Sequence, residues 1–342
     1  MTMKRRPEVL VAGGAGFIGS HLADRLIADG CRVVCLDSYL TGRPENLAQF
    51  AREPRFDLIE ADVIDPAPDR LRPDQIYNLA CAASPPHYQR DPEHTLLTCV
   101  VGTRNLLRLA ERSGARFLQA STSEVYGDPR VHPQPETYRG DVNCTGPRAC
   151  YDEGKRAAET LAYDFRRSGR ADVRVARIFN TYGPRMRPDD GRVVSNMICQ
   201  ALDGLPLTIY GNGEQTRSFC YVEDLVEGLV RLMASDGALS SPVNLGNPEE
   251  MTVRRLAALV LEATGCRSDL RFEPLPVDDP RRRRPDIDLA ATLLGWKPET
   301  PVTEGLARTA AFFREDRRRA PRAAPAAAPL AGGTDAVAER RP

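Results

Sequence analysis

The chain has 342 residues, 42% hydrophobic and 27% charged, which is enough for one large core or two linked domains. Its 47 basic and 47 acidic side chains cancel, so no overall field draws it to nucleic acid or to an anionic membrane surface. No apolar run approaches the ~20 residues of a membrane span. The basic triplet Lys4-Arg5-Arg6 is followed only by the short run Val9 to Ala12, so no signal peptide is expected and the cytoplasm is the expected location.

In chain order, Glu8 to Ala12 reads as a strand, residues 17 to 29 as a helix and Arg32 to Asp37 as a second strand, the βαβ signature of a parallel sheet. Further strands are predicted at Asp57–Glu60, Gln75–Ala80, Arg116–Ala120 and Val173–Arg177, with helices near 94 to 112 and 150 to 168. Six parallel strands wrapped by helices make an α/β, Rossmann-type doubly wound sheet, expected over residues 1–180. Past residue 180, helices near 192 to 203, 223 to 234 and 252 to 264 alternate with short extended pieces. They predict a smaller, mixed C-terminal substrate-binding lobe over 181–316, with some exchange of strands and helices between lobes. Residues 317–342 are expected to be a disordered tail. Nine Ala and four Pro lie between Ala320 and Pro342, with no apolar period to offset the entropy of ordering.

The segment Gly13-Gly14-Ala15-Gly16-Phe17-Ile18-Gly19 follows the first strand and opens a helix. Glycines there allow the backbone to turn sharply and approach a pyrophosphate, which the helix N-terminus then holds. Asp37 ends the second strand, where a carboxylate accepts hydrogen bonds from a ribose diol and repels a 2′-phosphate, so NAD is favoured over NADP. Asp62 and Val63, and Leu79 and Ala80 after Asn78, follow later strands at the edge where the rest of the dinucleotide would rest. The nine cysteines include no C-x-x-C pair and the four histidines show no ligand spacing; reduced cysteines and no metal are expected.

Tyr151 and Lys155 stand four residues apart on one helix face, where an ammonium can lower a phenol's pKa from ~10 toward neutrality. Lysine is scarce here, three residues against 44 arginines, so its retention at this position suggests a chemical demand for a compact ammonium. Thr122, within the run from Ser121 to Gly127 just after a strand, points a hydroxyl toward the same cleft.

With glycine loop, hydroxyl-bearing strand end and Tyr-x-x-x-Lys together, residues 7 to 315 resemble the extended short-chain dehydrogenase/reductase family. Longer strings resemble the UDP-glucuronate decarboxylases (UDP-xylose synthases) within it. These are Ala83-Ser84-Pro85-Pro86, STSEVYGDP (121–129), GPRACYDEGKR (146–156), VARIFNTYGPRM (175–186), DGRVVSN (190–196), QTRSF (215–219), SPVNLGNPEE (241–250), Asp278-Asp279-Pro280 and Arg283-Arg284-Pro285-Asp286.

The resemblance implies UDP-glucuronate as substrate and a cycle without net redox. Tyr151, with Thr122 and Lys155, removes the 4-hydroxyl proton as hydride passes from C4 to NAD⁺. Carbon dioxide then leaves from the position β to the new ketone, and hydride returns. Glu124 and Arg283 match residues thought to manage the carboxylate and the water or proton reaching C5. Asn180, Arg192, Asn196, Tyr210, Gln215 and Arg217 fall in strings that hold UDP, and Pro85, Pro86 and Tyr88 would line the sugar pocket. Ser123 stands where the 4,6-dehydratases carry Asp, and Cys81-Ala82 where family members often carry Ser-Pro. The helices near 94 to 112 and 150 to 168 resemble those that pair subunits into a four-helix bundle, so a homodimer is expected. A UDP-sugar 4-epimerase, a nucleotide-sugar 4,6-dehydratase and a non-catalytic NAD-binding regulator remain as alternative readings.

Overall fold

The computed structural model describes residues 6–236, 241–275 and 282–319. Strand β1 (Glu8–Ala12) shows why its sequence is almost continuously apolar. Val9 and Val11 join Leu22 and Leu26 of helix α1 (Phe17–Ala28) and Val33 and Cys35 of β2 (Arg32–Asp37) in one apolar layer. Leu10 and Ala12 face the other way, into a layer with Val34, Leu36, Leu106 and Phe117. A strand covered on both faces has no solvent side on which to alternate polar residues.

The sheet continues through β3 (Phe56–Glu60), β4 (Gln75–Asn78), β5 (Arg116–Thr122) and β6 (Asp172–Ile178). Four short strands follow, β7 (Thr181–Tyr182), β8 (Leu207–Tyr210), β9 (Thr216–Ser218) and β10 (Cys220–Tyr221), and then β11 (Val243–Leu245). The central sheet has seven strands in the order β11-β6-β5-β4-β1-β2-β3, every pair parallel. Six had been expected. β11 is only three residues long, too short to carry a period, and it pairs with β6 from well beyond residue 180.

On the face opposite α1 lie α3 (Pro92–Leu97), α4 (Thr103–Ser113) and α5 (Ala149–Arg167), preceded by the short α2 (Pro85–Tyr88). A single π-turn, Thr98–Gly102, joins α3 to α4, so the helix predicted at 94 to 112 is one nearly continuous element. Helices α6 (Val193–Leu202), α7 (Val222–Ala234), α8 (Val253–Thr264), α9 (Asp288–Leu294) and α10 (Val302–Arg319) follow among the described residues. Thr252 caps α8, its hydroxyl accepting from the Arg255 N–H at 3.1 Å.

The short strands form a mixed lobe. β12 (Glu250–Thr252) is antiparallel to β9, β14 (Arg282–Arg283) is parallel to β9 on its other side, and β13 (Leu270–Glu273) is parallel to β8. Helix α10 runs to Arg319, past the lobe boundary expected at 316, because Arg317 pairs with Asp203 at 2.9 Å and ties the last turn down. Residues 320–342, the bulk of the expected tail, lie outside the described residues, as do Asp278 to Pro280. Among the described residues no helix is long and apolar enough to cross a membrane.

Candidate active site

The strand order reverses between β1 and β4, and a crevice opens there beyond the carboxyl ends of the strands, where doubly wound sheets bind ligands. Its floor is the glycine turn. Gly13 adopts φ +79°, and a Cβ on it would meet the Leu79 and Ala80 backbone at 2.8 and 2.9 Å. A Cβ on Gly19 would stand 2.1 Å from the Gly13 carbonyl oxygen. Both positions therefore require glycine, one for conformation and one for close approach of turn and helix. Asp37 fixes the turn from the side: Oδ2 accepts from the Ala15 N–H at 2.9 Å and Oδ1 from the Tyr39 N–H at 2.8 Å. Burial pushes its carboxyl pKa up, and those two backbone donors oppose the rise.

Gly13, Gly16, Phe17, Ile18, Gly19, Asp37, Asp62, Val63, Leu79 and Ala80 all line this one cleft. The Asp62 carboxylate meets His94 Nε2 at 2.8 Å.

Thr122, Glu124, Tyr151 and Lys155 line the far end of the same cleft. Helix α5 presents a buried stripe of Tyr151, Lys155, Ala158, Ala162 and Phe165, whose spacing of three or four turns it onto the sheet. Tyr151 is hydrogen-bonded to the Thr122 side chain, and its ring stacks on Tyr88 at 5.0 Å with the planes 4° apart. Lys155 Nζ donates to the Ala120 carbonyl at 2.9 Å and lies 5.8 Å from the centre of the Tyr151 ring.

The expectation that Lys155 brings the phenol toward neutrality is not met. Burial dominates and holds the Tyr151 hydroxyl well above its ordinary value, with the Thr122 hydrogen bond pulling the other way. The ammonium is committed to a carbonyl at the end of β5.

A buried network fixes the end of β5. Ser121 Oγ donates to Glu159 at 2.5 Å, and Arg177 donates to both Glu159 oxygens at 3.0 and 2.8 Å. Arg177 also donates to the Tyr126 hydroxyl at 3.0 Å, which in turn donates to Asn244 Oδ1 at 2.8 Å. Four elements, β5, α5, β6 and β11, thus lock the strand end that carries Thr122.

Beyond it, Glu124 is gripped on both oxygens, by Arg283 on Oε1 and by Arg148 on Oε2. Arg283 is 4% exposed and sits on β14 in register with Arg217 on β9. Burial pushes the Glu124 carboxyl up, but Arg283 and Arg148, aided by Arg217, outweigh it and hold the group below the ordinary carboxylate range.

The other residues expected at a substrate site divide. Asn180 and Arg192 line the cleft, and Tyr88 backs it through its stack on Tyr151. The Arg192 fork is engaged by Asp190, at 2.5 and 2.9 Å, and its guanidinium lies 5.7 Å over the Phe17 ring. Pro86 packs on Gly191, and Asn196 donates to the Gly191 carbonyl at 3.0 Å; both shape the loop before α6. Pro85 opens α2. Gln215 donates to the Tyr210 carbonyl at 2.6 Å, Tyr210 is exposed, and neither is among the residues lining the cleft. Arg217 donates to the Thr216 carbonyl at 2.8 Å and contributes to the field on Glu124. Sequence reasoning missed Arg148 and Asp152. Arg148 lies three residues before Tyr151, which puts both on one helix face, and that spacing was the available signal.

A glycine turn at the switch point, an acidic residue ending β2 and a Tyr–Lys pair on α5 define a nicotinamide-dinucleotide enzyme of the short-chain type. The chain belongs to the NAD dependent epimerase/dehydratase family, whose model matches residues 9–246. It is 54% identical to UDP-glucuronic acid decarboxylase 1 of Danio rerio over 316 residues, 92% of this chain and 75% of the relative. It is 52% identical to UDP-glucuronic acid decarboxylase 3 of Arabidopsis thaliana over 308 residues, 90% and 89% of the two chains. Among solved structures it resembles the UDP-glucuronic acid 4-epimerase of Bacillus cereus in complex with UDP-glucuronic acid and NAD. That match has a TM-score of 0.82 at 26% identity and covers 90% of this chain and 99% of that one.

Proposed function

We infer that the chain is an NAD-dependent decarboxylase that converts UDP-glucuronate to UDP-xylose. The observation that carries this reading is the Arg148–Glu124–Arg283 cluster beside Thr122 and Tyr151, a wall built to receive and orient a carboxylate. Identity above 50% to named UDP-glucuronic acid decarboxylases supports it.

The cofactor fits the residues present: the glycine turn would hold its pyrophosphate, Asp37 its ribose diol and Asp62 and Val63 its adenine side. When bound, NAD would accept a hydride from the sugar's C4 and give it back to C4 of the decarboxylated ketone, with Tyr151 returning the proton to O4, so no oxidant is consumed. Tyr151 receives the 4-hydroxyl proton as hydride leaves C4, with Thr122 holding the same oxygen and Lys155, 5.8 Å from the ring, supplying a cation that works against the burial raising the phenol. The resulting ketone is β to the carboxylate, so the C5–C6 bond breaks with its electrons delocalised toward O4, where Tyr151, now protonated, donates a hydrogen bond. Arg283 orients the departing carboxylate. Water held by Glu124 gives C5 its proton, replaced from solvent. Asn180, Arg192, Asn196, Tyr210, Gln215 and Arg217 are proposed to hold the nucleotide, and Pro85, Pro86 and Tyr88 to bound the sugar.

We assign residues 1–180 to the cofactor lobe and 181–316 to the sugar-nucleotide lobe, with exchange between them in which β11 joins the central sheet, and the protein to the cytoplasm. We further propose a homodimer through α3–α4 and α5, supported by Leu96 and Leu97, which are exposed on α3. Light scattering at the mass of one chain would overturn the dimer.

The test of function incubates purified protein with UDP-glucuronate, with and without added NAD⁺, and follows carbon dioxide and the sugar nucleotide by mass. Release of carbon dioxide with UDP-xylose formed supports the reading. A product of unchanged mass makes the protein an epimerase, and no reaction with this substrate removes the decarboxylase reading.

A further inference from the structure

Glu124 is held by two guanidiniums that come from different parts of the fold. Arg283 arrives on β14, and Arg148 immediately precedes the first turn of α5. The three side chains are 4%, 12% and 16% exposed for Arg283, Arg148 and Glu124, so the cluster is nearly out of water. The other groups facing Glu124 are Arg217 of β9, Tyr151 and Asp152 of α5 and Tyr88 of α2.

Arg148 Nε stands 3.8 Å from Asp152 Oδ2, a long contact, and Asp152 Oδ1 is buried with no hydrogen-bond partner. Arg148 thus holds Glu124 directly and reaches Asp152 only through the longer contact.

Two buried guanidiniums on one carboxylate exceed what a single ion pair needs. The function proposed above, on which this inference rests, brings a second carboxylate to the same wall. Arg283 donates to the Gly127 carbonyl at 3.3 Å as well as to Glu124, and its Nε is buried with no hydrogen-bond partner, so the fork keeps a donor for a second carboxylate while Arg148 holds the first.

We propose that Arg148 is a positioning residue for decarboxylation: it keeps Glu124 ionised and in place while Arg283 engages the carboxylate of the sugar. Its location suits the task. Arg148 and Tyr151 are three residues apart at the same helix start, so a Glu124 held by Arg148 stays in fixed relation to the phenol through the turnover. Without Arg148, Glu124 would follow Arg283 or take up a proton when the substrate arrives, and C5 would lose its ordered water. The role is indirect, through Glu124, and Arg148 touches no reacting atom.

The test compares Arg148→Gln and Arg148→Lys with the wild-type full chain, using UDP-glucuronate and NAD⁺, after thermal melting has been recorded for each. Arg148→Gln is expected to lower kcat about 30-fold while KM stays within about threefold. The acid limb of its kcat–pH profile should move to higher pH, because Glu124 then loses one of the three guanidiniums that hold its carboxyl low. Arg148→Lys, which restores the charge without the fork, should recover much of the turnover and return the acid limb toward wild type.

Arg148→Gln with wild-type kcat and pH profile overturns the inference. A rise confined to KM also overturns it, by putting Arg148 on the substrate itself. A fall in kcat with an unmoved acid limb and a lowered melting temperature makes the residue structural and overturns it as well. Wild-type protein that releases no carbon dioxide overturns the functional reading and this inference together, whereas the other outcomes leave the functional reading standing.

Discussion

The two walls of the cleft are made of different material. On the cofactor side, from Gly13 to Asp37, one βαβ unit presents backbone: a glycine turn with no room for a Cβ, the N-terminus of α1, and a carboxylate that itself accepts two backbone N–H groups. On the sugar side, residues from the turn after β5, the start of α5 and two short strands far apart in sequence present charge, with Glu124, Arg148, Arg217 and Arg283 gathered around one point. A backbone wall recognises by shape and tolerates little change in volume. A charged wall recognises by field, so it responds to pH, to salt and to removal of a single charge. The contrast suits the chemistry assigned to each side, a cofactor that is regenerated and held against a substrate that must enter, react and leave.

The sharpest break in this comparison comes at Tyr151, where the two walls meet. Tyr151→Phe keeps the stack on Tyr88 and loses the hydroxyl that Thr122 holds, so kcat should fall by about 10³-fold while NAD affinity, measured by calorimetry, changes little. Equal losses of both would mean that the phenol belongs to the cofactor wall.

Glu124→Gln leaves the shape of the charged wall and removes its anion. Turnover is expected to drop about 100-fold with NAD affinity unchanged, and unaltered carbon dioxide release would show that the glutamate is only a counter-ion.

Gly19→Ala tests the other wall alone. With a Cβ placed 2.1 Å from the Gly13 carbonyl, the turn must open, and NAD affinity should weaken by about tenfold or more while binding of UDP is preserved. An alanine variant that binds NAD as the wild type does would show that the turn is not shape-limited.

The smallest effect is one of stability. Burial, with the like charge of Glu124, pushes the Asp152 carboxyl up to about 7, against the pull of Arg148 and Arg283. The folded chain therefore holds this proton more tightly than the unfolded chain, and stability is lost as pH rises from about 4 to about 7. Asp152→Asn removes that loss and is expected to raise Tm by a few degrees above pH 7, with no change near pH 4. A gain of the same size at both pH values would assign it to packing.

Much of the fold was legible because its signals are local. The helix predicted at 17 to 29 is observed at Phe17–Ala28, and that at 150 to 168 at Ala149–Arg167. β11 was missed because three residues carry no period, and it finds its place only by pairing with β6. Helix α10 was also missed, although Val302, Leu306, Ala310 and Phe313 mark its buried face at helical spacing. Charged residues between them dilute that stripe, and burial against the second lobe reveals it. At the site, the glycine turn, Asp37 and the Tyr151–Lys155 pair were readable from spacing. The state of the phenol was not, since proximity to an ammonium suggested a lowered pKa and the degree of burial decided the opposite.

The sequence by itself determined the parallel sheet, the dinucleotide turn and the helix that carries Tyr151 and Lys155, because each is a contiguous segment whose residue types act through backbone geometry and short-range period. Only the tertiary structure decided that Glu124 lies between Arg148 and Arg283, residues 24 and 159 positions away along the chain. The strength of a charge pair depends on separation in space and on exclusion of water, and neither is written in separation along the chain.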